Sequence, residues 1–387
     1  MRILFTFTGG SGHVEPMLPI ATAARDAGHE IAFTGRATSL VPLTRAGFTT
    51  FESGPTWKDP ATRMELQEVD VERELRDVRD GFADRIARAR AADVVELCER
   101  WRPDLLVCEE VDFGGVIAAE RMGLPYAGVL VIASGSLIRP DMLAEPLNAI
   151  RAEHGLPADP DLEMLRKHLV LSPFPPSHRD PDFPLPPTAH PFRPPMDLAA
   201  QTPKWLDEST GTPLVYVTLG TVLNMESGDL FSRILDGLAE LPVNLVATVG
   251  RQINPAELGP QPPNVRVEQF VPQHALLPHC AAVLTHGGSG STVGALTHGV
   301  PMVMVPMGAD QPMNADLCVR LGTGRVLDPI ALTPVSVREA MADVLANPGY
   351  RAAAGRLRTE IAGLPPASHT VELLERLVAQ WRPVRAT

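Results

Sequence analysis

The stretch His286-Gly287-Gly288-Ser289-Gly290-Ser291-Thr292 follows a short apolar run, Ala281–Thr285, and opens a segment typical of a helix that ends near Gly299. A strand, a glycine-rich turn and a helix start together form an anion-binding site. The first backbone N–H groups of a helix lack partners, and the peptide dipole adds partial positive charge there. No Lys or Arg occurs from Phe270 to Gln311. We therefore expect dipoles and hydroxyl groups to hold a phosphate, with His286 as a further candidate.

Strand-like and helix-like stretches alternate on both sides of this turn. This alternation predicts α/β domains with parallel sheets. In the first half the predicted strands are Ile3–Phe7, Ile31–Thr34, Leu105–Cys108 and Ala127–Ile132, and the predicted helices are Pro16–Ala27, Glu72–Arg100 and Phe113–Arg121. In the second half the predicted strands are Leu214–Thr218, Asn244–Thr248, Val265–Glu268, Ala282–Thr285 and Val303–Val305, and the last predicted helix is Thr370–Trp381.

A segment dense in proline separates the two halves, with 11 prolines from Pro173 to Pro203. Because proline lacks an N–H donor, we expect no regular element there, only a semi-rigid linker or a surface loop. The predicted domains are 1–204 and 205–370, with a linker near 173–203 and a C-terminal helix within 371–387 that packs back on the first domain. Two such domains are expected to bind ligands at the carboxyl ends of their strands, in a cleft between them.

Composition narrows the class of protein. The formal net charge of −12 argues against nucleic acid or anionic membrane as the main partner, and we expect no stable membrane anchoring. Four cysteines show no paired or metal-like spacing, which favours a reducing cytoplasm. The apolar run Met1–Phe7 is too short for a signal peptide. The sequence leaves the oligomeric state open, a homodimer included.

His13 follows the first strand and a glycine-rich turn, at the carboxyl edge of the first sheet. A histidine there can remove a proton from a substrate hydroxyl, although a residue that only packs or caps is the alternative. Glu109, Glu110 and Asp112 follow the strand Leu105–Cys108 and offer an orienting carboxylate. Alternation along the strand does not decide which of them contacts His13. The position where a nicotinamide-binding fingerprint needs its third glycine is Glu15, so we expect no nicotinamide cofactor.

Three further features belong to the second half. Thr221 follows a glycine turn at the end of the strand Leu214–Thr218 and can contact a phosphate. Asp310 and Gln311 follow the strand Val303–Val305 and suit sugar hydroxyls. Because no pair of histidines among His274, His279 and His298 has ligand spacing, we expect no metal site.

These pieces together resemble the inverting, nucleotide-sugar-dependent glycosyltransferases of the GT-B fold, most of all the actinobacterial antibiotic and macrolide glycosyltransferases. The specific part is Phe-Val-Pro-Gln from Phe270, the His286 turn, Gly299-Val300-Pro301 and Asp310-Gln311. The plant signature has the same interval, 25 positions, between its histidine and its terminal glutamine. The resemblance implies two Rossmann-like parallel-sheet domains that face a cleft.

The resemblance also implies roles for individual residues. His13 is expected to be the general base, and Glu109 stands where the family usually has the aspartate of a His–Asp dyad, with Asp112 as a substitute. The residues expected to bind the donor are Gly12, Thr221, Val271, Gln273, His286, Gly288, Ser289, Gly290, Ser291, Thr292, Asp310 and Gln311. Plant-type members carry a glutamate that grips both ribose hydroxyls at the position of Gly294 here. This difference favours a dTDP-sugar over a UDP-sugar.

The expected reaction is metal-free transfer of a sugar, with inversion, to a hydrophobic natural product such as a polyketide or macrolide aglycone. No cofactor is expected beyond the sugar-nucleotide co-substrate. The residues expected to line the acceptor site on the first domain are Trp57, Met64, Phe82, Leu137 and Met142. The alternatives are a nucleotide-sugar epimerase of the same fold, a lipid-linked cell-wall glycosyltransferase, which the acidic composition disfavours, and a non-catalytic activator of another transferase.

Overall fold

The computed structural model describes residues 1–55, 63–194, 203–206, 211–221 and 223–386 of the chain. These residues form two compact units. The first unit comprises the described residues within Met1–Lys58, Glu72–Pro195 and Gly363–Thr387. The second comprises those within Asp59–Val71 and Met196–Ala362. Each unit is an α/β domain built on one parallel sheet, as the sequence predicted.

The first unit contains a seven-stranded sheet in the order β3-β2-β1-β4-β5-β6-β7, and each pair of neighbours is parallel. The strands are β1 (Arg2–Thr6), β2 (Glu30–Gly35), β3 (Thr49–Glu52), β4 (Leu105–Glu109), β5 (Tyr126–Val129), β6 (Val170–Ser172) and β7 (Ala189–Pro191). Ile3, Leu4 and Phe5 of β1 are fully buried although they alternate between the two faces. Burial on both faces explains why the strand is continuously apolar.

The second unit contains a six-stranded sheet in the order β10-β9-β8-β11-β12-β13, again with parallel neighbours. The strands are β8 (Leu214–Thr218), β9 (Asn244–Thr248), β10 (Val265–Glu268), β11 (Cys280–Thr285), β12 (Met302–Met304) and β13 (Gly324–Val326). Five of these six follow the predicted runs, and β13 was missed. Its three residues, two of them exposed, give no apolar signal.

Helices connect the strands in both units. From the first half of the chain they are α1 (Ser11–Val14), α2 (Leu18–Asp26), α3 (Ala37–Arg45), α4 (Val71–Arg76), α5 (Ala87–Trp101), α6 (Phe113–Met122) and α7 (Pro140–Glu153). From the second half they are α8 (Leu230–Leu238), α9 (Gln273–Leu276), α10 (Ser289–Thr297), α11 (Gln311–Arg320), α12 (Pro334–Ala346), α13 (Pro348–Gly363) and α14 (His369–Gln380). A π-helical stretch, Asp77–Ile86, joins α4 to α5. No helix among the described residues has the length and apolar character needed to cross a bilayer.

The last helix, α14, packs against α2 in the first unit. Val371, Leu374 and Leu377 lie in one buried cluster with Ile20 and Ala21 of α2. This cluster covers the face of the first sheet to which Ile3 and Phe5 contribute. The hydrophobic stripe of α14, at helical spacing, therefore closes the core of a domain that begins more than three hundred residues earlier in the chain.

The proline-rich segment corrects one prediction. Within 173–194 the chain forms the edge strand β7, and Phe174 and Phe192 are buried in the first unit. The expectation of no regular element was therefore wrong for this part. A proline is tolerated in β7 because an edge strand has one side without a partner, so a missing N–H breaks no ladder bond there.

The segment after residue 62 corrects a second prediction. The Met64 N–H donates to the Met225 carbonyl at 2.6 Å, and the Gly228 N–H donates to the Met64 carbonyl at 3.2 Å. Leu66 packs against the apolar core of the second unit. Met64 therefore belongs to the second unit and not to the first domain, where it was expected; its contact with an acceptor stays a prediction.

Candidate active site

His13 lies in the short helix α1, directly after the glycine turn that ends β1. Its side chain is 25% exposed. The ring covers Gly9 so closely that an added Cβ there would lie 2.0 Å from His13 Cδ2. On another side the Phe82 ring lies nearly parallel to the imidazole, with ring centroids 6.0 Å apart and planes at 11°. Glycine at position 9 and Phe82 together fix where the imidazole lies.

Glu109 is the acid that contacts His13. Its Oε1 atom lies 3.1 Å from Nδ1 of His13, and the carboxylate is fully buried. The backbone N–H and the hydroxyl of Thr8 donate to Oε2 at 3.3 and 3.1 Å, and the Val111 N–H donates to Oε1 at 2.8 Å. These three donors hold the carboxylate in one orientation. A carboxylate at Nδ1 favours the tautomer that carries its proton there and leaves Nε2 able to accept one.

The other two acids have different partners. Asp112 forms a buried ion pair with Arg90, whose Nε also donates to Oδ1 at 3.2 Å, and it caps α6 by accepting the Gly115 N–H. The expectation of Asp112 as a substitute for Glu109 beside His13 was therefore wrong. Glu110 accepts the N–H groups of Val131 and Ile132, both at 2.9 Å. The sequence carried a signal for the N-cap role of Asp112, since an aspartate just before an apolar helix is typical of an N-cap.

The glycine-rich turn of the second unit follows β11, as the sequence predicted. Gly287 has a φ of 87°, a left-handed conformation that favours glycine, and Gly288 is the N-cap of α10. The His286 ring lies between two glycines. Added Cβ atoms at Gly220 and Gly288 would lie 2.6 and 2.5 Å from its Nε2. Burial lowers the pKa of His286 to about 4, so the ring is neutral near pH 7.

Asp310 caps the first turn of α10. Its Oδ2 accepts the N–H of Ser289 at 3.2 Å and also the Ser289 hydroxyl. Asn314 donates to the same Oδ2 at 2.8 Å and to the Gly287 carbonyl at 3.0 Å. The N–H and the hydroxyl of Ser289 therefore both donate within the protein. Sequence reasoning missed Asn314, although it lies one helical turn after Asp310 and so on the same face of α11.

The other predicted donor residues lie around this turn or at the ends of neighbouring strands. Gln273 and Ser291 are joined twice, by Gln273 Nε2 to the Ser291 carbonyl at 3.3 Å and by the Ser291 hydroxyl to Gln273 Oε1 at 3.4 Å. Gln311 is buried and accepts the Met307 N–H at 2.8 Å. The Thr292 hydroxyl is buried without a hydrogen-bond partner among the described residues. Val271 is buried, and Gly12, Thr221 and Gly290 are exposed. Their contacts with a donor stay predictions.

The predicted acceptor residues that the structure describes come from both units. Phe82 lies over the base, as described above. Leu137 is buried, and Met142 is half-buried in the first turn of α7. Met64 belongs to the second unit, and Trp57 lies outside the described residues. No cluster of His, Cys, Asp and Glu in the described part of the chain has the geometry to hold a metal ion.

Comparisons with known proteins show the family to which the chain belongs. Residues 232–377 match the family model described as the C-terminal domain of erythromycin biosynthesis protein CIII-like proteins. The chain is 31% identical to 10-deoxymethynolide desosaminyltransferase of Streptomyces venezuelae, over 99% of this chain and 98% of that protein. This chain belongs to the actinobacterial natural-product glycosyltransferases. It is an enzyme of that family, and its two parallel-sheet domains are those of the GT-B fold.

Two further relatives support the assignment of this glycosyltransferase. Tylactone mycaminosyltransferase of Streptomyces fradiae is 30% identical, over all of this chain (100%) and 94% of that protein. Among solved structures, the glycosyltransferase VinC in complex with dTDP matches with a TM-score of 0.77 at 28% identity, over 98% of this chain and 100% of that one. The similarity therefore extends through both units of the glycosyltransferase.

Proposed function

We propose that this glycosyltransferase moves a sugar from a dTDP-sugar to a hydroxyl group of a hydrophobic natural product, with inversion and without a metal. The observation that carries the proposal is the contact between Nδ1 of His13 and the buried carboxylate of Glu109. In this arrangement Nε2 removes the proton of the acceptor hydroxyl as its oxygen bonds to the anomeric carbon. The bond from that carbon to the diphosphate breaks on the opposite face, and dTDP leaves with the electron pair.

The proposed seat for the diphosphate is the turn before α10. Negative charge grows on the leaving phosphate, and fixed N–H dipoles stabilise such charge without reorganisation. The Ser289 donors already bind Asp310. The proposal therefore assigns the phosphate contacts to the N–H groups of Gly290 and Ser291, to the Thr292 hydroxyl and to neutral His286. Neutral groups suit this task because the product dTDP must also dissociate.

The preference for dTDP rests on Gly294. An added Cβ there would lie 3.2 Å from Gln273 Nε2 and 3.3 Å from Leu277 Cδ1, so Gln273 takes space that a side chain at 294 would need. No carboxylate is then present at position 294 to bind a ribose 2′-hydroxyl. The deoxyribose of dTDP lacks this hydroxyl, so dTDP loses no contact there. VinC, in the solved structure, carries dTDP.

A thermal-shift screen with dTDP, UDP and GDP tests the donor, since a ligand that binds only the folded state raises the melting temperature. We expect the largest shift with dTDP, and a larger shift with UDP or GDP would reject the preference. His13→Ala tests the base. It should lose about 10²–10⁴-fold in turnover and keep the dTDP-induced shift. Normal turnover by His13→Ala would show that the base is another group.

The same assays separate the alternatives. An epimerase converts the donor alone into an isomeric sugar nucleotide, so product would form without acceptor. A non-catalytic activator would bind no donor and transfer nothing when it is purified alone. Transfer that needs both donor and acceptor, and that gives the inverted anomer, supports the proposal. Polar acceptors preferred over hydrophobic ones would contradict its acceptor class.

A further inference from the structure

The first unit contains a cavity of about 850 Å³ that, among the candidate site residues, only Glu109 and Glu110 line. It lies beside β4, β5 and β6, and neither His13 nor Phe82 is among its lining residues. Its size is within the range of small-molecule sites in proteins, about 300–1,000 Å³. Apolar side chains make up much of the wall, among them Val116, Leu130, Ile138, Leu165, Val170 and Phe183.

Glu110 supplies a fixed acceptor in the wall of this cavity. Its Oε2 accepts the N–H groups of Val131 and Ile132, both at 2.9 Å. Among the described residues no donor is recorded for Oε1. Glu110 follows Glu109 directly, so the contents of the cavity lie next to the peptide that carries the partner of His13.

Arg179 supplies fixed donors in the same wall. Its Nε donates to the Phe183 carbonyl at 2.7 Å and its Nη1 to the Ile132 carbonyl at 3.3 Å. The guanidinium lies over Gly135, where an added Cβ would be 2.0 Å from Cζ. Nη2 has no recorded acceptor among the described residues. Backbone carbonyls thus fix the Arg179 guanidinium through Nε and Nη1, and Nη2 can donate to a ligand.

Glu110 and Arg179 form no ion pair within 4.0 Å in the part of the chain that the structure describes. The charge of each residue nevertheless shifts the pKa of the other. Burial raises the pKa of Glu110 and lowers the pKa of Arg179, and the opposite charge of the partner counteracts both shifts. The pair is balanced in charge. Between these two residues a charged ligand group would be repelled by one of them, whereas a neutral group that donates to Glu110 and accepts from Arg179 would not.

We propose that this cavity is a binding site for an apolar molecule with a neutral β-hydroxycarbonyl group. The hydroxyl of the ligand donates to Oε1 of Glu110, and its carbonyl oxygen accepts from Nη2 of Arg179. The apolar body packs against the wall formed by Leu130, Ile138 and Phe183. The site goes beyond the proposed transfer reaction, because it needs neither His13 nor the glycine-rich turn.

Calorimetric titration of the full chain with methyl 3-hydroxydecanoate tests the site, with methyl decanoate as the ligand that lacks the hydroxyl. We expect the hydroxy ester to bind at least about tenfold more tightly, which is the effect of one hydrogen bond to a charged group. Arg179→Met should weaken binding of the hydroxy ester by about tenfold. Glu145→Gln removes an exposed carboxylate from α7 of the same unit and should change nothing.

Gly128→Val is the second variant, because it fills the cavity without touching the polar pair. Gly128 lines the cavity, and the nearest heavy atom to an added Cβ is the Leu165 carbonyl oxygen at 3.9 Å, an ordinary contact. A β-branched residue also suits a strand. This variant should fold and bind neither ester. The proposal is overturned if the wild-type chain binds neither ester, if both esters bind equally, or if Gly128→Val binds like wild type. The titration needs no sugar donor, so any of these results leaves the transferase proposal standing.

Discussion

Nδ1 of His13 lies 3.1 Å from Oε1 of Glu109, although 96 positions separate the two residues in the chain. The contact arises because β1 and β4 are neighbours in the sheet and both end at the same edge. The carboxylate is buried and held by Thr8 and Val111, so it orients the imidazole.

Glu109→Gln should lower kcat by about 10²–10⁴-fold, because an amide does not fix the Nδ1–H tautomer of His13 or stabilise the imidazolium that forms. Binding of dTDP, measured by thermal shift, should stay as in wild type, since the proposed phosphate contacts belong to the second unit. Glu109→Asp keeps the charge and is the matched control, with a smaller loss expected. Equal kcat values for the wild type and Glu109→Gln would contradict the role given to this acid.

Gly9→Ala should lower kcat by about 10²-fold, since a displacement of about 1 Å in a catalytic group has an effect of this size. The added Cβ would lie 2.0 Å from Cδ2 of His13, so the imidazole must move. Gly10→Ala is the control, because an added Cβ there meets nothing within 4 Å. The measurement compares kcat of the two variants by steady-state kinetics, and their melting temperatures confirm that both fold. Similar kinetics in both would show that the ring position is unimportant.

Asp310→Asn should lower the free energy of unfolding by about 1 kcal/mol, the usual value of a helix cap. The substitution removes the negative charge that accepts the N–H and hydroxyl of Ser289 and the amide of Asn314. Asp236→Asn changes an exposed aspartate of α8 and should have no measurable effect. Denaturant unfolding followed by circular dichroism is the measurement. Unchanged stability of Asp310→Asn would argue against the cap.

His178→Leu should raise the free energy of unfolding at mildly acid pH. His178 is fully buried, and neither ring nitrogen has a hydrogen-bond partner among the described residues. Burial lowers its pKa to about 4, from the ordinary histidine value of 6.5. Between these values the unfolded chain binds a proton that the folded chain excludes, so stability falls as the pH falls through this window.

The expected loss in the wild type from His178 is on the order of 3 kcal/mol between pH 6.5 and pH 4. His178→Leu should remove this part of the pH dependence. Denaturant unfolding at several pH values measures it, and His154→Leu, at a partly exposed position after α7, is the control. The same slope in the wild type and His178→Leu would show that His178 does not exclude the proton.

Much of the architecture could be predicted because it depends on patterns of apolar residues within short segments of the sequence. The continuous apolar runs of β1, β4, β8 and β11 reflect burial on both faces, and the runs alternate with helix-length segments. The strands that were missed, β3, β6, β7 and β13, have three or four residues and include edge strands, so their signal is weak.

The site was predictable only in part. The glycines at positions 287 and 9 could be read from the sequence. Glycine is required at Gly287 by a positive φ and at Gly9 by the close approach of the His13 ring. The partner of His13 could not be chosen among three acids, because their neighbours come from other strands and loops. Asp112 forms an ion pair with Arg90, which lies 22 positions earlier in α5. The residues next to Asp112 in the sequence do not indicate this pair.

The sequence by itself determined the two parallel-sheet domains, the glycine turn that begins α10 and the position of His13, because periodicity, glycine and helix starts are properties of neighbouring residues. Only the tertiary structure decided that Glu109 contacts His13, that Asp310 accepts from Ser289 and Asn314, and that Met64 belongs to the second unit. The physical reason is that hydrogen bonds and ion pairs between distant segments depend on which strands become neighbours, and chain order alone does not specify that.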